Sequence, residues 1–253
     1  SPYGIRMAEK LARELAALYG KPMRIPEIEF EESDPPADTL SSVTIEDPDL
    51  GPRYVGRVLT EVTIGPSPAW MAQRLVAAGM RPINNIVDIT NYVLMETGHP
   101  LHAFDYDKLE EHRIVVRRPR DGETIETLDD EKHELGPDML VIADEKSPQA
   151  VAGIMGGADS EVGEGTRTVF LESAYFDPIA IRRTSRALGL TTESSQRFQR
   201  GADPEMAVYA IHRATMLMQQ LAGARIARGT LDAYPEPLPT RTVQLRYARA
   251  NQL

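Results

Sequence analysis

Residues 81–105 read RPINNIVDITNYVLMETGHPLHAFD, a stretch that sets polar residues at fixed offsets within an apolar frame. Its apolar residues recur at three- and four-residue steps, so Asn85–Thr97 is predicted to be a helix with one buried stripe. Asn84 or Asn85 can cap the start of this helix, and Gly98 can end it. Several polar side chains therefore share the turns that carry the buried stripe.

His102 follows this helix at a position suited to presenting an imidazole. Because Pro100 forbids continued helix at His99, His102 is predicted on a turn or a short extended piece at the helix end. It could contact a ligand there, or it could be a structural histidine. His99, His102 and Asp105 also have a spacing seen in metal sites. Pro100 breaks the helical geometry that this spacing would need, so no metal site is predicted.

The composition excludes several classes of protein. Cysteine is absent, which rules out disulfides, a thiolate nucleophile and thiolate metal sites. No apolar run approaches the roughly 18 residues of a membrane span, and the start shows no signal-peptide pattern, so a cytoplasmic location is expected. The net charge of −10 does not favour a general nucleic-acid binder. Any contact with RNA would have to use a local basic patch.

The order of predicted elements indicates an α+β fold with mixed sheets and packed helices, because strands and helices do not alternate strictly. The predicted strands are Tyr54–Ile64, Ile114–Arg117, Glu123–Leu128, Met139–Ala143, Gln149–Gly157, Thr168–Tyr175 and Ala224–Thr230. The other predicted helices are Ala69–Ala78, with Ser67 as N-cap, Pro178–Leu188, capped by Asp177, and Pro204–Leu221.

Both ends of the chain are predicted to lie outside the central module. Residues 1–52 read as an amphipathic helix followed by a linker or extended arm, because residues 25–52 carry nine acidic residues, five prolines and no basic residue. Residues 234–253 read as a stiff proline-rich linker and the start of a further domain.

Glu172 interrupts the apolar run of residues 169–174. Strand alternation would place Phe170, Glu172 and Ala174 on one face. A carboxylate at this position lies either on a solvated face or in the interior with a specific purpose.

Residues 182–200 carry the one marked basic patch of an acidic chain. Guanidinium groups bind phosphates bidentately, so the patch is a candidate RNA-binding segment; a surface helix paired with carboxylates is the alternative. The candidate residues are Arg182, Arg183, Arg186, Arg197 and Arg200.

Two further motifs are ambiguous or absent. Gly153, Gly156 and Gly157 match neither of the common phosphate-loop patterns. A close backbone approach to a ligand, or a simple hairpin, accounts for them equally well. No GxSxG elbow occurs, so a serine hydrolase of that type is not supported.

Four segments together resemble one family, the β subunit of bacterial phenylalanyl-tRNA synthetase. These segments are RPINNIVDITNYVLMETGHPLHAFD, AGIMGG, FLESAYFDP and ALGLTTESSQRFQRGADP, in this order. The resemblance covers roughly residues 54–232 and implies that residues 53–233 form the editing module, the third and fourth domains of that subunit. The first helix resembles the end of the preceding domain, and residues 242–253 resemble the opening of the next.

The resemblance also implies a function and a set of site residues. The family charges tRNA(Phe) with phenylalanine on its α subunit, and the editing module hydrolyses tyrosine attached by mistake. His102 matches the histidine that positions the terminal ribose and the attacking water, and Glu172 matches the glutamate that reads the tyrosine hydroxyl. The matching pocket residues are Thr90, Asn91, Ala152, Gly153, Thr192 and Ser194.

The implied partners are the α subunit and the 3′ end of tRNA(Phe), with no DNA and no membrane. No cofactor is expected for this part, whereas the whole synthetase would need ATP and magnesium. Two alternatives stay open: a non-catalytic module that docks the α subunit or tRNA, and a free-standing aminoacyl-ester hydrolase.

Overall fold

Two mixed β-sheets and a layer of helices build the fold, in a computed structural model that describes residues 14–22, 27–239, 242 and 244–252. The predicted α+β class with mixed sheets and packed helices is confirmed. In spatial order, the first sheet consists of β1 (Glu32–Pro36), β12 (Arg225–Arg228), β3 (Arg53–Thr60), β11 (Val169–Tyr175) and β4 (Leu101–Asp105), with β13 (Leu231–Ala233) also paired to β3.

The second sheet lies against one face of the first. Its strands are β10 (Met155–Gly156), β9 (Pro148–Val151), β8 (Val141–Ala143), β5 (Arg113–Arg117) and β2 (Ser42–Ile45), and β6 (Thr124–Glu126) forms a separate hairpin with β7 (Lys132–Glu134). One apolar cluster joins the two sheets, with Phe104 and Phe170 from the first and Val116 and Ile142 from the second. This cluster is the first core.

Three of the helices, Ala69–Ala77, Asn85–Thr97 and Met206–Ala222, cover the other face of the first sheet and form a second core with it. The helices are α1 (Ala37–Leu40), α2 (Ala69–Ala77), α3 (Asn85–Thr97), α4 (Pro178–Leu188), α5 (Glu193–Phe198), α6 (Met206–Ala222) and α7 (Tyr247–Ala250), with short 3-10 turns at Tyr106–Lys108 and Glu110–His112. Ile86, Ile89 and Val93 of α3 pack in this second core. None of the helices in the described ranges combines the length and apolar character that crossing a bilayer requires.

Helices α3 and α4 begin and end where the sequence predicts. The Asn84 side chain accepts the N–H of Val87 at 3.0 Å, and Gly98 ends α3 in the left-handed region at φ 74°. Asp177 accepts two N–H groups of the first turn of α4, and Gly189 ends that helix in the same way. Local capping chemistry therefore fixes both helices.

Residues 32–45 correct the prediction of a linker or extended arm. β1 pairs in parallel with β12, β2 pairs in parallel with β5, and Ala37 between them is buried in the first core. The acidic residues of this segment lie on its outer side, where Glu32 pairs with Arg57 at 2.6 Å. Composition averages over both faces of a strand, so an acidic outer face concealed the inward-facing apolar residues.

Two smaller predictions are corrected by the structure, and a third falls mostly outside the described residues. Pro68, not Ser67, occupies the N-cap of α2, because the Ser67 hydroxyl donates to Asp88 at 2.6 Å. Residues 149–157 form a hairpin of two strands instead of one strand. The predicted helix of residues 1–20 lies mostly outside the described residues, within which residues 14–18 are helical.

Candidate functional site

A cavity of about 420 Å³ opens where β4 and β11 meet α3, the β9–β10 hairpin and the start of α5. Both apolar walls and convergent polar groups border it, as in many ligand sites. The predicted site residues that line it are Thr90, Asn91, His102, Gly153, Glu172, Thr192 and Ser194. The fold thus brings together residues from four distant segments of the chain.

Glu172 and His102 are direct cross-strand partners. The antiparallel register of β11 and β4 sets Glu172 opposite His102, just as it sets Phe170 opposite Phe104. Directly opposed residues put their side chains on the same face of a sheet. The two candidate catalytic side chains therefore stand next to each other on one cavity wall.

The Glu172 carboxyl group is buried, which settles the alternatives that the sequence left open. Only 7% of the residue is exposed, and its neighbours Phe170 and Ala174 belong to the first core. The hydroxyl of Tyr54 donates a hydrogen bond of 2.8 Å to Oε2 of Glu172. Burial raises the pKa of Glu172 to about 7, and the hydrogen bond from Tyr54 opposes this rise.

The His102 ring is held between an aromatic ring and a glycine. It contacts Phe104 edge-on, with ring centroids 4.5 Å apart. Burial lowers the pKa of His102 to about 4, so the imidazole is neutral near pH 7. A neutral imidazole offers one donor and one acceptor nitrogen, which suits it to orient a hydroxyl group and a water molecule.

Gly156 makes room for the His102 ring. A Cβ atom at Gly156 would lie 2.4 Å from Cε1 and 2.7 Å from Nε2 of His102. Sequence reasoning noted this glycine only within an ambiguous loop, although its place in AGIMGG was the available signal. Gly156 is thus a residue of the site through the space it leaves.

The wall opposite β4 is tied together by hydroxyl groups. Thr192 donates to the carbonyl of Ile154 at 2.8 Å, and Ser194 donates to the carbonyl of Gly153 at 3.0 Å. These bonds fix the start of α5 to the β9–β10 hairpin. Ala152 lies in the first core behind this wall, with 1% of it exposed, and not on the cavity surface.

Gly153 owes its identity to packing and backbone conformation. It adopts φ +66°, and a Cβ atom there would lie 2.8–3.0 Å from Phe176, Phe198 and Ile181. The glycine-rich turn is therefore a hairpin turn pressed against aromatic rings and not a phosphate loop.

Helix α3 contributes the third wall and the rim. The Thr90 hydroxyl donates to the carbonyl of Val87 at 2.7 Å, so its proton is used within the helix. Asn91 lines the cavity one position further on. Arg81, which sequence reasoning did not single out, lies exposed at the rim. It is the cation that opens the 81–105 stretch, and that position was its only sequence signal.

The predicted RNA-binding arginines lie outside the cavity. Arg182, Arg183 and Arg186 are exposed on α4, and Arg200 is exposed after α5. Within the described ranges, none of these four forms an ion pair. Arg197 instead pairs with Glu193 at 2.6 Å. The structure therefore leaves the guanidinium groups of these four arginines free on the outer surface.

The described residues contain no cluster of side chains that could bind a metal ion. Across residues 14–22, 27–239, 242 and 244–252, no three His, Asp or Glu side chains converge as a metal ion would require. The expectation of a metal-free site stays a prediction.

Residues 50–223, which include every residue of the cavity wall, match the model of the B3/4 domain family. This chain belongs to the B3/4 domain family. The chain is also similar to curated phenylalanine–tRNA ligase beta subunits, at 52% identity to that of Geobacter metallireducens and 53% to that of Moorella thermoacetica. Each alignment spans 243 residues, 96% of this chain and 30% of the relative.

A solved structure shares the fold of the B3/4 domain and its flanking segments. It is an N-terminal fragment of the phenylalanyl-tRNA synthetase beta subunit from Pyrococcus horikoshii, with a TM-score of 0.51 and 14% identity. The likeness covers 97% of this chain and 67% of that one. The predicted resemblance to the β subunit of phenylalanyl-tRNA synthetase is confirmed, and the chain corresponds to about 30% of the length of such subunits.

Proposed function

We propose that this chain is the editing part of a phenylalanine–tRNA ligase and hydrolyses tyrosine from mischarged tRNA(Phe). The observation that carries this proposal is the pairing of a buried carboxyl group with a neutral imidazole on one cavity wall, Glu172 opposite His102. Charging with phenylalanine, with its ATP and magnesium, would lie on a separate α subunit, and the complex would work in the cytoplasm.

Hydrolysis of an aminoacyl ester requires few catalytic groups from the protein. The ester is already labile, so a positioned water and stabilisation of the oxyanion suffice, and no covalent nucleophile is needed. Neutral His102 can accept a hydrogen bond from the terminal ribose or from the attacking water. This role agrees with a chain that has no cysteine.

Selection of tyrosine over phenylalanine must depend on one hydroxyl group. Glu172 lines the cavity and is only 7% exposed, so an ionised carboxylate there gains by accepting a hydrogen bond from a phenol. Phenylalanine offers no donor and leaves that acceptor unpaired, which a buried site penalises strongly.

The test of the proposal is deacylation of tyrosyl-tRNA(Phe) by the purified chain, compared with phenylalanyl-tRNA(Phe). We expect faster release of tyrosine than of phenylalanine. Retained binding of tRNA with no release of tyrosine would replace the proposal by a docking module for tRNA or for the α subunit. Equal release of many unrelated aminoacyl esters would favour a general aminoacyl-ester hydrolase.

Binding of tRNA is expected to be weak and sensitive to salt. The four unpaired arginines can neutralise only a few phosphates on a chain of net charge −10, and each neutralised phosphate adds roughly −0.7 to −0.9 to the slope of log K against log salt. Changing Arg182, Arg183 and Arg186 to glutamine should reduce that slope by about two to three. The measurement is tRNA affinity over a series of KCl concentrations.

Glutamine at Arg225 and Arg228 is the matched control for that series. Both are exposed arginines that already pair with carboxylates, Arg225 with Glu61 and Arg228 with Asp34. Their replacement should leave the slope unchanged. Tight binding by the original chain that is independent of salt would refute the role of the basic surface.

Deacylation is expected to continue in the presence of EDTA, because the proposed water-positioning step uses the imidazole of His102. The measurement is the release rate of tyrosine before and after chelation, with zinc added back. A rate that collapses on chelation and recovers with zinc would reassign His102 as a metal ligand.

A further inference from the structure

Tyr54 contacts the carboxyl group of Glu172 from within the first core. It lies on β3, is fully buried and does not line the cavity, whereas Glu172 does. The Tyr54 hydroxyl donates to Oε2 of Glu172 at 2.8 Å, and its ring stacks against Phe170 with centroids 6.5 Å apart. Across the described part of the chain, this is the one hydrogen bond that the Glu172 side chain makes. The core thus holds one carboxylate oxygen and leaves Oε1 without a protein donor.

We propose that Tyr54 is a positioning residue for substrate recognition, whose hydroxyl fixes Oε2 of Glu172 so that Oε1 accepts the proton of a tyrosine phenol in the cavity. This inference rests on the proposed function. A carboxylate has about four acceptor sites, so a single phenol from the core does not saturate it. A carboxylate that is already held in place also loses less conformational freedom when the substrate binds.

A tyrosine that merely fills the core would affect stability and nothing else. Tyr54 differs because it donates to the ionised form of Glu172. Burial raises the pKa of Glu172 to about 7, and the Tyr54 hydrogen bond acts in the opposite direction. Burial and the adjacent carboxylate raise the pKa of Tyr54 well above its usual value, so this hydroxyl remains a donor.

Removal of the Tyr54 hydroxyl is therefore expected to raise the pKa of Glu172. Without that donor the pKa of Glu172 rises further, and a smaller fraction of the carboxyl groups is ionised at pH 7. The charge-assisted bond to a phenol, which is stronger than a neutral one, then requires a higher pH. The preference for a phenol should weaken near pH 7 and return as the pH rises.

The other charged or titratable groups at the cavity are His102 beside Glu172, Arg81 at the rim, and the exposed carboxylates Glu161 and Glu193. His102 is neutral between pH 6 and 8.5, since burial lowers its pKa to about 4. The change Tyr54→Phe leaves all four groups in place. A shift in the pH profile of this variant then reports on the bond to Glu172.

The experiment compares binding of L-tyrosinamide and L-phenylalaninamide to the original chain and to Tyr54→Phe, between pH 6 and 8.5. Both amides resist hydrolysis and carry the same amine, so titration of that amine cancels in the ratio of affinities. At pH 7 the preference for tyrosinamide is expected to fall by about three- to tenfold in the variant, as for the loss of one hydrogen bond. It should recover towards the original value at the upper end of the range.

Tyr106→Phe is the matched control. Tyr106 is buried in the same core, and its hydroxyl donates to the carbonyl of Leu40 and not to Glu172. The change Tyr106→Phe should alter the melting temperature and leave the pH dependence of the tyrosinamide preference unchanged. NMR titration of carbon-13 in the Glu172 carboxyl group should show a higher pKa than in the original chain for Tyr54→Phe, and an unchanged pKa for Tyr106→Phe.

Two outcomes would overturn the role of Tyr54. One is an unchanged preference at every pH in Tyr54→Phe; the other is an original chain that does not prefer tyrosinamide. Neither result depends on turnover. A chain that prefers tyrosinamide but releases no tyrosine from charged tRNA would refute the hydrolytic function and leave the role of Tyr54 intact.

Discussion

Replacing Glu172 by alanine is expected to remove nearly all of the preference for tyrosyl over phenylalanyl ester. A charge-assisted hydrogen bond from a phenol contributes roughly 1.5–3 kcal/mol, which corresponds to about tenfold to a hundredfold in the ratio of rates. The loss should come chiefly from slower release of tyrosine. The measurement is deacylation of both charged tRNAs, and an unchanged ratio in Glu172→Ala would remove this residue from the recognition of the hydroxyl group.

The variant Glu172→Gln is the matched control for shape. It keeps the size of the side chain and one acceptor oxygen but loses the charge, so the preference should shrink without disappearing. Thermal unfolding separates this effect from misfolding. The pKa of Glu172 lies above its unfolded value, so its ionisation destabilises the fold as the pH rises through about 7. Glu172→Gln removes that destabilisation and keeps an acceptor for the Tyr54 hydroxyl, so it should unfold no earlier than the original chain at pH 8. Glu172→Ala leaves a cavity and an unpaired Tyr54 hydroxyl, so it should unfold earlier than Glu172→Gln.

Replacing His102 by alanine is expected to slow deacylation of tyrosyl-tRNA by roughly a hundredfold, the loss typical of a group that positions a reactant or moves its proton. Tyrosinamide binding should change little, because Glu172 and not His102 reads the side chain. The control is His112→Ala, since His112 also contacts an aromatic ring, that of Tyr106, but lies outside the cavity wall. Release at the original rate in His102→Ala would make His102 a structural histidine.

Gly156→Ala perturbs the same ring from the other side. An added methyl group would lie 2.4 Å from Cε1 of His102, so the ring must move. The rate should fall towards that of His102→Ala. In the double variant the clash is gone, and we expect no further loss, which is the non-additive result of two changes that act through one group. Additive losses would show that Gly156 acts independently of His102.

Local chemistry explains why parts of the fold could be predicted. Helix α3 shows an apolar period and a capping asparagine, and α4 shows an aspartate followed by proline; each signal lies within a few residues of the element that it specifies. Burial of Glu172 was one of two open alternatives. A carboxylate within an apolar strand can lie either on the solvent-exposed face of the sheet or in the interior. The resemblance to a family, and not periodicity, assigned its role.

The remaining features of the site depend on contacts between distant segments. The register that sets Glu172 opposite His102 joins residues 70 positions apart, and nothing in either strand alone encodes it. Tyr54 reads as an ordinary strand residue until its hydroxyl is seen to meet Glu172. The same limit explains the error at residues 32–45, whose partners lie far along the chain.

The parallel pairing of β1 with β12 has a consequence for synthesis on the ribosome. Ser33 and Ile226, which contact each other across these strands, are separated by 193 residues. At about 5–20 residues per second, roughly 10–40 s pass between the emergence of the two strands. During that interval the edge of β3 that later pairs with β12 presents unpaired backbone groups, as an exposed strand edge does in any nascent chain. The first sheet is therefore completed only after β12 has emerged, and the nascent chain is open to misassociation until then.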